Sequence, residues 1–234
     1  IDPTRYFDPE FFLLNESDAR AMDPQALLIL EESLALFCHA GYRLDEFRGR
    51  NVGVYLGARS RHQPDPADLH SARNPILAVG QNYLAANVSQ FFDLRGPSIV
   101  IDTACSSALV SMHMAIQALQ QGELEAAVVG GVQLLDDGGT LRLFQQRGLL
   151  STANDFHVFD RRSEGVILGE GAGLVLLKKL DQALAAGDKI YGVVKAVSIN
   201  NDGRTAGPAS PNIEAQKGVM RAALDKCHKQ PEEI

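Results

Sequence analysis

The chain has few cysteines, and nothing in its sequence suggests that they act together. Cys38, Cys105 and Cys227 are widely spaced and odd in number, which argues against a disulfide framework and suits a reducing compartment. No CxxC pair or Cys/His cluster occurs at metal-ligand spacing, so a zinc site is not expected. Basic runs are also missing. Twenty-two Lys and Arg stand against 29 Asp and Glu, for a net charge of −7, and neither nucleic acid nor an anionic membrane would find a footprint here. Apolar stretches are broken by glycine or charge before the roughly 18 to 20 residues a membrane helix needs, and no signal peptide opens the chain. Internal repeats and low-complexity linkers are absent. The expectation is a cytoplasmic protein with no metal, no nucleic acid and no membrane partner.

What is present is an ordinary globular composition. The 234 residues, 45% of them hydrophobic, suffice for one large domain or two small ones with a substantial core. The first residue is Ile and the last five run off a helix without a stop signal, so both ends are expected to be cut. Residues 1–23, rich in Asp, Pro and Phe, read as an extended loop leading to an N-cap at Asp23 with Pro24 in the first helical turn. A helix follows to about His39, ended by Gly41. Val52–Leu56 reads as a strand, 59–74 as a polar surface loop, and 81–92 as a helix. Ala126–Val129 and Val132–Leu135 read as a strand with a kink or close approach at Gly130-Gly131. Leu174–Leu177 is a further strand, Asp181–Ala186 a short helix, Ile190–Ile199 a longer strand and 213–228 a final helix. Strands and helices alternate throughout, which favours a layered α/β fold with a largely parallel sheet.

The segment from Gly96 to Ser107, GPSIVIDTACSS, is the most informative. Ile99-Val100-Ile101 reads as a short buried strand and Ala108–Gln121 as a helix, with Cys105 at their junction. Unpaired N–H groups and the positive dipole end at a helix N-terminus favour thiolate over thiol, and the same groups can hold an oxyanion during acyl transfer. A free cysteine is also a common small buried residue, so local sequence leaves a nucleophile and a packing role both open. His113 lies eight residues along the helix, about 12 Å of rise, too far to be a base for Cys105. The other histidines fall at helix ends or in loops. Gly169-Glu170-Gly171-Ala172-Gly173 lacks the following helix of a dinucleotide fingerprint, and reads as a tight turn and close packing, with Glu170 either a buried paired carboxylate or a loop-orienting acceptor. Asn200–Thr205 is a polar turn after a strand, a place where active-site loops also occur.

These residues together resemble the β-ketoacyl synthase family, most closely ketosynthase domains of modular type I polyketide synthases. The resemblance runs in order through DPEFF at 8–12, AMDPQ at 21–25, Gly41-Tyr42, NVSQFFDLRGPS at 87–98, DTACSS at 102–107, GEG at 169–171 and NDGRT at 201–205. Ser106-Ser107 favours polyketide synthases over fatty-acid enzymes, which usually read ACAT there, and Cys105 stands where inactive relatives usually carry glutamine. Departures occur at Ala26-Leu27, at Leu36-Phe37 and over Ser163–Leu168, where Leu168 replaces a frequent arginine.

The resemblance implies a thiolase-like α/β/α fold, αβαβα in a complete domain. Residues 1–234 would then form a single incomplete ketosynthase domain, mostly its N-terminal half, beginning after the first strand and stopping before the HGTGT motif that carries one of two family histidines. It implies that Cys105 takes an acyl chain from the phosphopantetheine arm of an acyl carrier protein and that decarboxylative Claisen condensation with a malonyl-type extender follows. No tightly bound cofactor is implied. The implied partners are acyl carrier protein, neighbouring polyketide synthase domains and a second copy in a homodimer. A non-condensing ketosynthase that receives or gates acyl chains, and a fatty-acid-type condensing enzyme, are the alternatives.

Overall fold

A computed structural model of the chain describes residues 2–135, 138–153, 155–207 and 210–234. Its centre is a four-stranded sheet of β1 (Val52–Gly57), β2 (Ser98–Ile101), β3 (Ala126–Gln133) and β4 (Gly171–Leu177), in the spatial order β2-β1-β3-β4. β2, β1 and β3 run parallel and β4 antiparallel, in line with a largely parallel sheet. The crossovers between parallel strands are helical, as that geometry requires.

Successive side chains of a strand point to opposite faces, and β1 uses both. Val52, Val54 and Leu56 pack with α2 (Pro24–His39) and α4 (Tyr83–Phe92) in the larger core, whereas Tyr55 faces α5 (Ser107–Gln121) beside Ala127 and Val129 of β3. Helices therefore cover both faces of the sheet, an α/β/α layering. α2 begins where the sequence places it: the Asp23 side chain accepts the Gln25 N–H at 2.9 Å, and Gly41 at φ +82° closes the far end, where Tyr42 N–H reaches Phe37 O at 3.0 Å. Phe37 packs against Phe92 and Phe47, with ring centroids 4.7 and 5.3 Å away.

Several expectations are corrected. The stretch 1–23 is not simply extended: it holds a 3-10 turn over Pro3–Arg5 and α1 (Glu16–Ala21), started by Asn15, whose side chain accepts the Ser17 N–H. Likewise α3 (Pro66–Ser71), capped by Asp65, forms inside the polar 59–74 segment, and α6 (Gly139–Gln146) was not anticipated at all. β3 runs through Gly130-Gly131 without a kink. The glycines serve a close approach, because a Cβ on Gly130 would lie 2.0 Å from Gly173 O. β2 is half-buried rather than buried, because it forms an edge of the sheet.

The largest correction concerns 190–199. This segment makes no ladder with any described strand, and Ile190, Tyr191, Val193, Val194 and Ile199 are exposed. Its β-branched residues supply propensity, but a strand needs a partner backbone for its N–H and C=O groups. α7 (Leu180–Ala186) precedes the segment and α8 (Ile213–Cys227) follows it, both close to the expected bounds.

Candidate functional site

The parallel strands end at a cleft of about 740 Å³ whose lining includes Cys105, Arg59, Asp102, Leu134, Leu135 and Phe144. Cys105 is exposed and lies one residue before Ser106, which occupies the N-cap position of α5. The strand-to-helix turn predicted for it is therefore present, with the thiol open to the cleft rather than packed as a small hydrophobe.

Glycine determines how closely that turn sits on the sheet. Gly57, the last residue of β1, pairs with Ile101 of β2 and with Gly131 of β3. A Cβ on Gly57 would lie 2.3 Å from Ala108 N and 2.5 Å from Ser107 C, and one on Gly131 would lie 3.2 Å from Ala108 Cβ. The first turn of α5 thus rests on bare backbone, which only glycine leaves free at such range.

The turn itself is held by side chains. Ala104 adopts φ +56°, a left-handed conformation that costs a non-glycine residue of order 1 kcal/mol or more. Its N–H donates to Asp102 Oδ1 at 3.0 Å, and its carbonyl accepts the Ser107 hydroxyl at 2.6 Å. Ser107 Oγ also accepts the Thr103 N–H at 2.9 Å, while the Ser106 hydroxyl donates to Thr103 O at 2.9 Å. The two serines after the cysteine are therefore structural members of the turn. With the amides of Thr103, Ala104 and Ser107 engaged, an oxyanion beside Cys105 would draw on other N–H groups of the turn and of the first turn of α5.

Arg59 closes the other side. Its Nε lies 2.6 Å from Asp102 Oδ2 and its Nη2 2.9 Å from Asp102 Oδ1, a bidentate pair. The Arg59 guanidinium, and after it the Ala104 N–H, hold the Asp102 carboxyl below its ordinary value, and Asp102 in turn raises Arg59. Neither residue stood out in the sequence as part of a site. Asp102 was visible in the DTACSS run, but Arg59 sits 43 positions earlier in a stretch read as a surface loop, and no local signal could have joined the two.

Other candidates stay away from Cys105. Among the described residues no histidine lines the cleft. His113 is on α5, His62 Nε2 lies 3.0 Å from Ala21 O, and His39 stacks on Tyr191. Glu170 is exposed and takes the second of its two predicted roles, its Oε1 accepting the Leu135 N–H at 2.7 Å, which orients the loop after β3. The Asn200–Thr205 loop is tied to the start of α8 by Asn212 Nδ2 donating to Asp202 O at 3.1 Å and does not line the cleft. No group of three His, Cys, Asp or Glu among the described residues is placed to hold a metal ion, and no described helix is long and apolar enough to cross a membrane.

Comparison with known proteins adds three kinds of match. Residues 1–183 match the family model for the β-ketoacyl synthase N-terminal domain and residues 191–234 that for the β-ketoacyl synthase C-terminal domain. The whole chain is 64% identical to polyketide synthase PksL of Bacillus subtilis strain 168, of which it spans 5%. Among solved structures, it is similar to the ketosynthase from module 6 of the bacillaene synthase of Bacillus subtilis 168 (36% identity, TM-score 0.89, all of this chain and 41% of that one). It is also similar to the oxazolomycin ketosynthase domain OzmH KS8 of Streptomyces albus JA3453 (53% identity, TM-score 0.76, 95% of this chain and 50% of that one). The chain thus spans half or less of the solved ketosynthases it matches.

Proposed function

Since the chain belongs to the β-ketoacyl synthase family and shares the thiolase-like fold of its solved ketosynthases, we propose that it is the nucleophile-bearing part of a single polyketide synthase ketosynthase domain. The observation that carries this reading is Cys105, exposed at a strand-to-helix turn whose backbone is fixed by side chains and seated on glycine. Cys105 attacks the thioester carbonyl of an acyl group on a carrier protein's phosphopantetheine arm. The new C–S bond forms as the arm's thiolate leaves, so the acyl group moves without net redox change. The cleft suits this exchange, with Leu134, Leu135 and Phe144 offering apolar wall to an acyl chain and an open mouth admitting a tethered arm. In a condensing domain a malonyl-type extender then loses CO2, and its carbanion takes the acyl group while the Cys105 thiolate leaves. The enzyme class is acyltransferase, and the neighbours are carrier protein and other synthase domains, in keeping with the polyketide synthase relatives.

A homodimer is part of the same proposal. β2 is an edge strand with no second strand partner among the described residues, and an unpaired edge carrying Ile99, Val100 and Ile101 is a template for another backbone.

The test is intact mass spectrometry of the full chain mixed with acyl carrier thioesters, beside Cys105→Ala. An acyl adduct on the native chain and none on the variant is expected, and equal labelling of both would sink the assignment. CO2 release from malonyl carrier protein, measured on a ketosynthase domain carrying this chain, separates condensation from a gatekeeping role: a gatekeeper forms the thioester and releases none.

A further inference from the structure

Arg59 does more than pair with a surface carboxylate. It lies two residues past the end of β1, where Ala58 N–H donates to Ile101 O at 3.1 Å and so places the residues following β1 beside those following β2. From there its guanidinium grips both oxygens of Asp102, and the oxygen that accepts Nη2 is the one that also accepts the Ala104 N–H. Ala104 is the residue held at positive φ immediately before Cys105. The backbone of Arg59 is fixed as well. Its carbonyl accepts Gln25 Nε2 at 3.2 Å, and Gln25, only 4% exposed, also binds Asp23 and accepts the Leu134 N–H at 3.3 Å. Next to it, the Ser60 hydroxyl donates to Asp23 Oδ2 at 2.5 Å. A buried polar network at the start of α2 is thereby continuous with the turn that presents the thiol, and the fork geometry of Arg59 is its last link.

We propose that Arg59 is a positioning residue for Cys105, acting through Asp102 to hold the Ala104–Cys105 turn in the conformation that receives acyl groups. This rests on the ketosynthase reading for its consequence in acyl transfer but not for its effect on the thiol. The charged groups that line the cleft with Cys105 are Arg59, Arg61 and Asp102, and Arg61 is engaged with Thr140 Oγ1 at 2.8 Å. Removing the Arg59 cation leaves the Asp102 carboxylate uncompensated in the cleft to which the thiol opens, which disfavours a thiolate there. It also releases one of the restraints on Ala104.

The experiment compares the full chain with Arg59→Ala, Arg59→Lys and Asp102→Asn by two readouts. The first is the pH dependence of Cys105 alkylation by iodoacetamide, resolved by peptide mapping, with exposed Cys38 as internal control. The second is the rate of acyl transfer from an acyl carrier thioester. Expected for Arg59→Ala is an upward shift in the pH of half-maximal Cys105 alkylation with Cys38 unchanged, and an acyl-transfer rate about tenfold lower, short of the ~10² that an ångström-scale misplacement costs. Arg59→Lys should restore the alkylation profile, since it restores the charge, and recover the transfer rate only in part, since an ammonium cannot grip both oxygens. Asp102→Asn keeps an acceptor for the Ala104 N–H without the negative charge and should not show the upward shift. If Arg59→Ala folds and its Cys105 profile matches the native one, the proposal is overturned; should Arg59→Ala fail to fold, a full transfer rate in Arg59→Lys overturns it equally. A shifted profile in a chain that accepts no acyl group would uphold the positioning role and refute the ketosynthase reading instead.

Discussion

Gly57→Ala tests whether the glycine seat under α5 sets the position of Cys105. The added methyl would meet Ala108 N at 2.3 Å, Ser107 C at 2.5 Å and Ala108 Cα at 2.7 Å, whereas ordinary contact starts at 3.4 Å. All three atoms are backbone, so no side chain can swing aside, and the first turn of α5 must retreat by about 1 Å to restore contact distance. Overpacking of this kind costs about 1–3 kcal/mol, which for a chain of this size lowers Tm by roughly 2–12 °C. The retreat carries Cys105 with it, so acyl transfer, which depends on orientation, should fall on the order of 10². Alkylation by iodoacetamide, which has no such requirement, should change far less. Gly192→Ala is the matched control, because a Cβ there meets nothing within 4 Å, and it should leave melting and transfer unchanged. Native-like melting and native-like transfer in Gly57→Ala would refute the idea that this contact positions the thiol.

Two further outcomes follow from other parts of the molecule. Burial raises the Asp188 carboxyl, but hydrogen bonds from Lys178 and Tyr42 outweigh it and hold the group below its ordinary 3.8; burial lowers the Lys178 ammonium, but Asp188 and Tyr42 outweigh it and hold it above 10.5. The Asp188 contribution to stability is therefore present above the ordinary carboxylate value and lost as pH falls through the depressed one, while that of Lys178 is lost only as pH rises through the elevated one. With side chains 16% and 14% exposed, Asp188→Asn should cost about 1–3 kcal/mol at neutral pH and flatten the acid limb of Tm against pH; an unchanged limb would show that the cluster is not coupled to folding. Sedimentation velocity should find a dimer at micromolar concentration, and a monomer there would remove the edge of β2 as an interface.

Most of the fold was legible because it rests on local signals. Asp23-Pro24 and Gly41 bracket α2, the short apolar run of β1 is bounded by glycine, and Gly122 ends α5 in the left-handed conformation. The failures are those of local reading. Asn15 with Glu16 and Asp18, and Asp65 with Pro66, are ordinary helix starts that opened helices too short to show a hydrophobic period. In 190–199 the β-branched residues carry strand propensity, but pairing is a property of the neighbouring backbone, and that is not written in the segment itself.

The site divides along the same line. Cys105 and the two serines after it are consecutive, so a strand before them and a helix after them were enough to place the thiol at a helix N-terminus. The residues that make the turn rigid come from elsewhere: Gly57 from the end of β1, Arg59 from what reads as a surface loop, Gln25 from the first turn of α2. The register of β1 against β2 brings Gly57 and Arg59 to the turn, because pairing Gly57 with Ile101 sets the residues that follow each strand side by side. A one-residue slip in that register would turn Gly57 away from α5 and remove both the seat and the clamp at once. The parallel pairing of β1 and β2 is thus what converts a cysteine at the end of a strand into an oriented thiol.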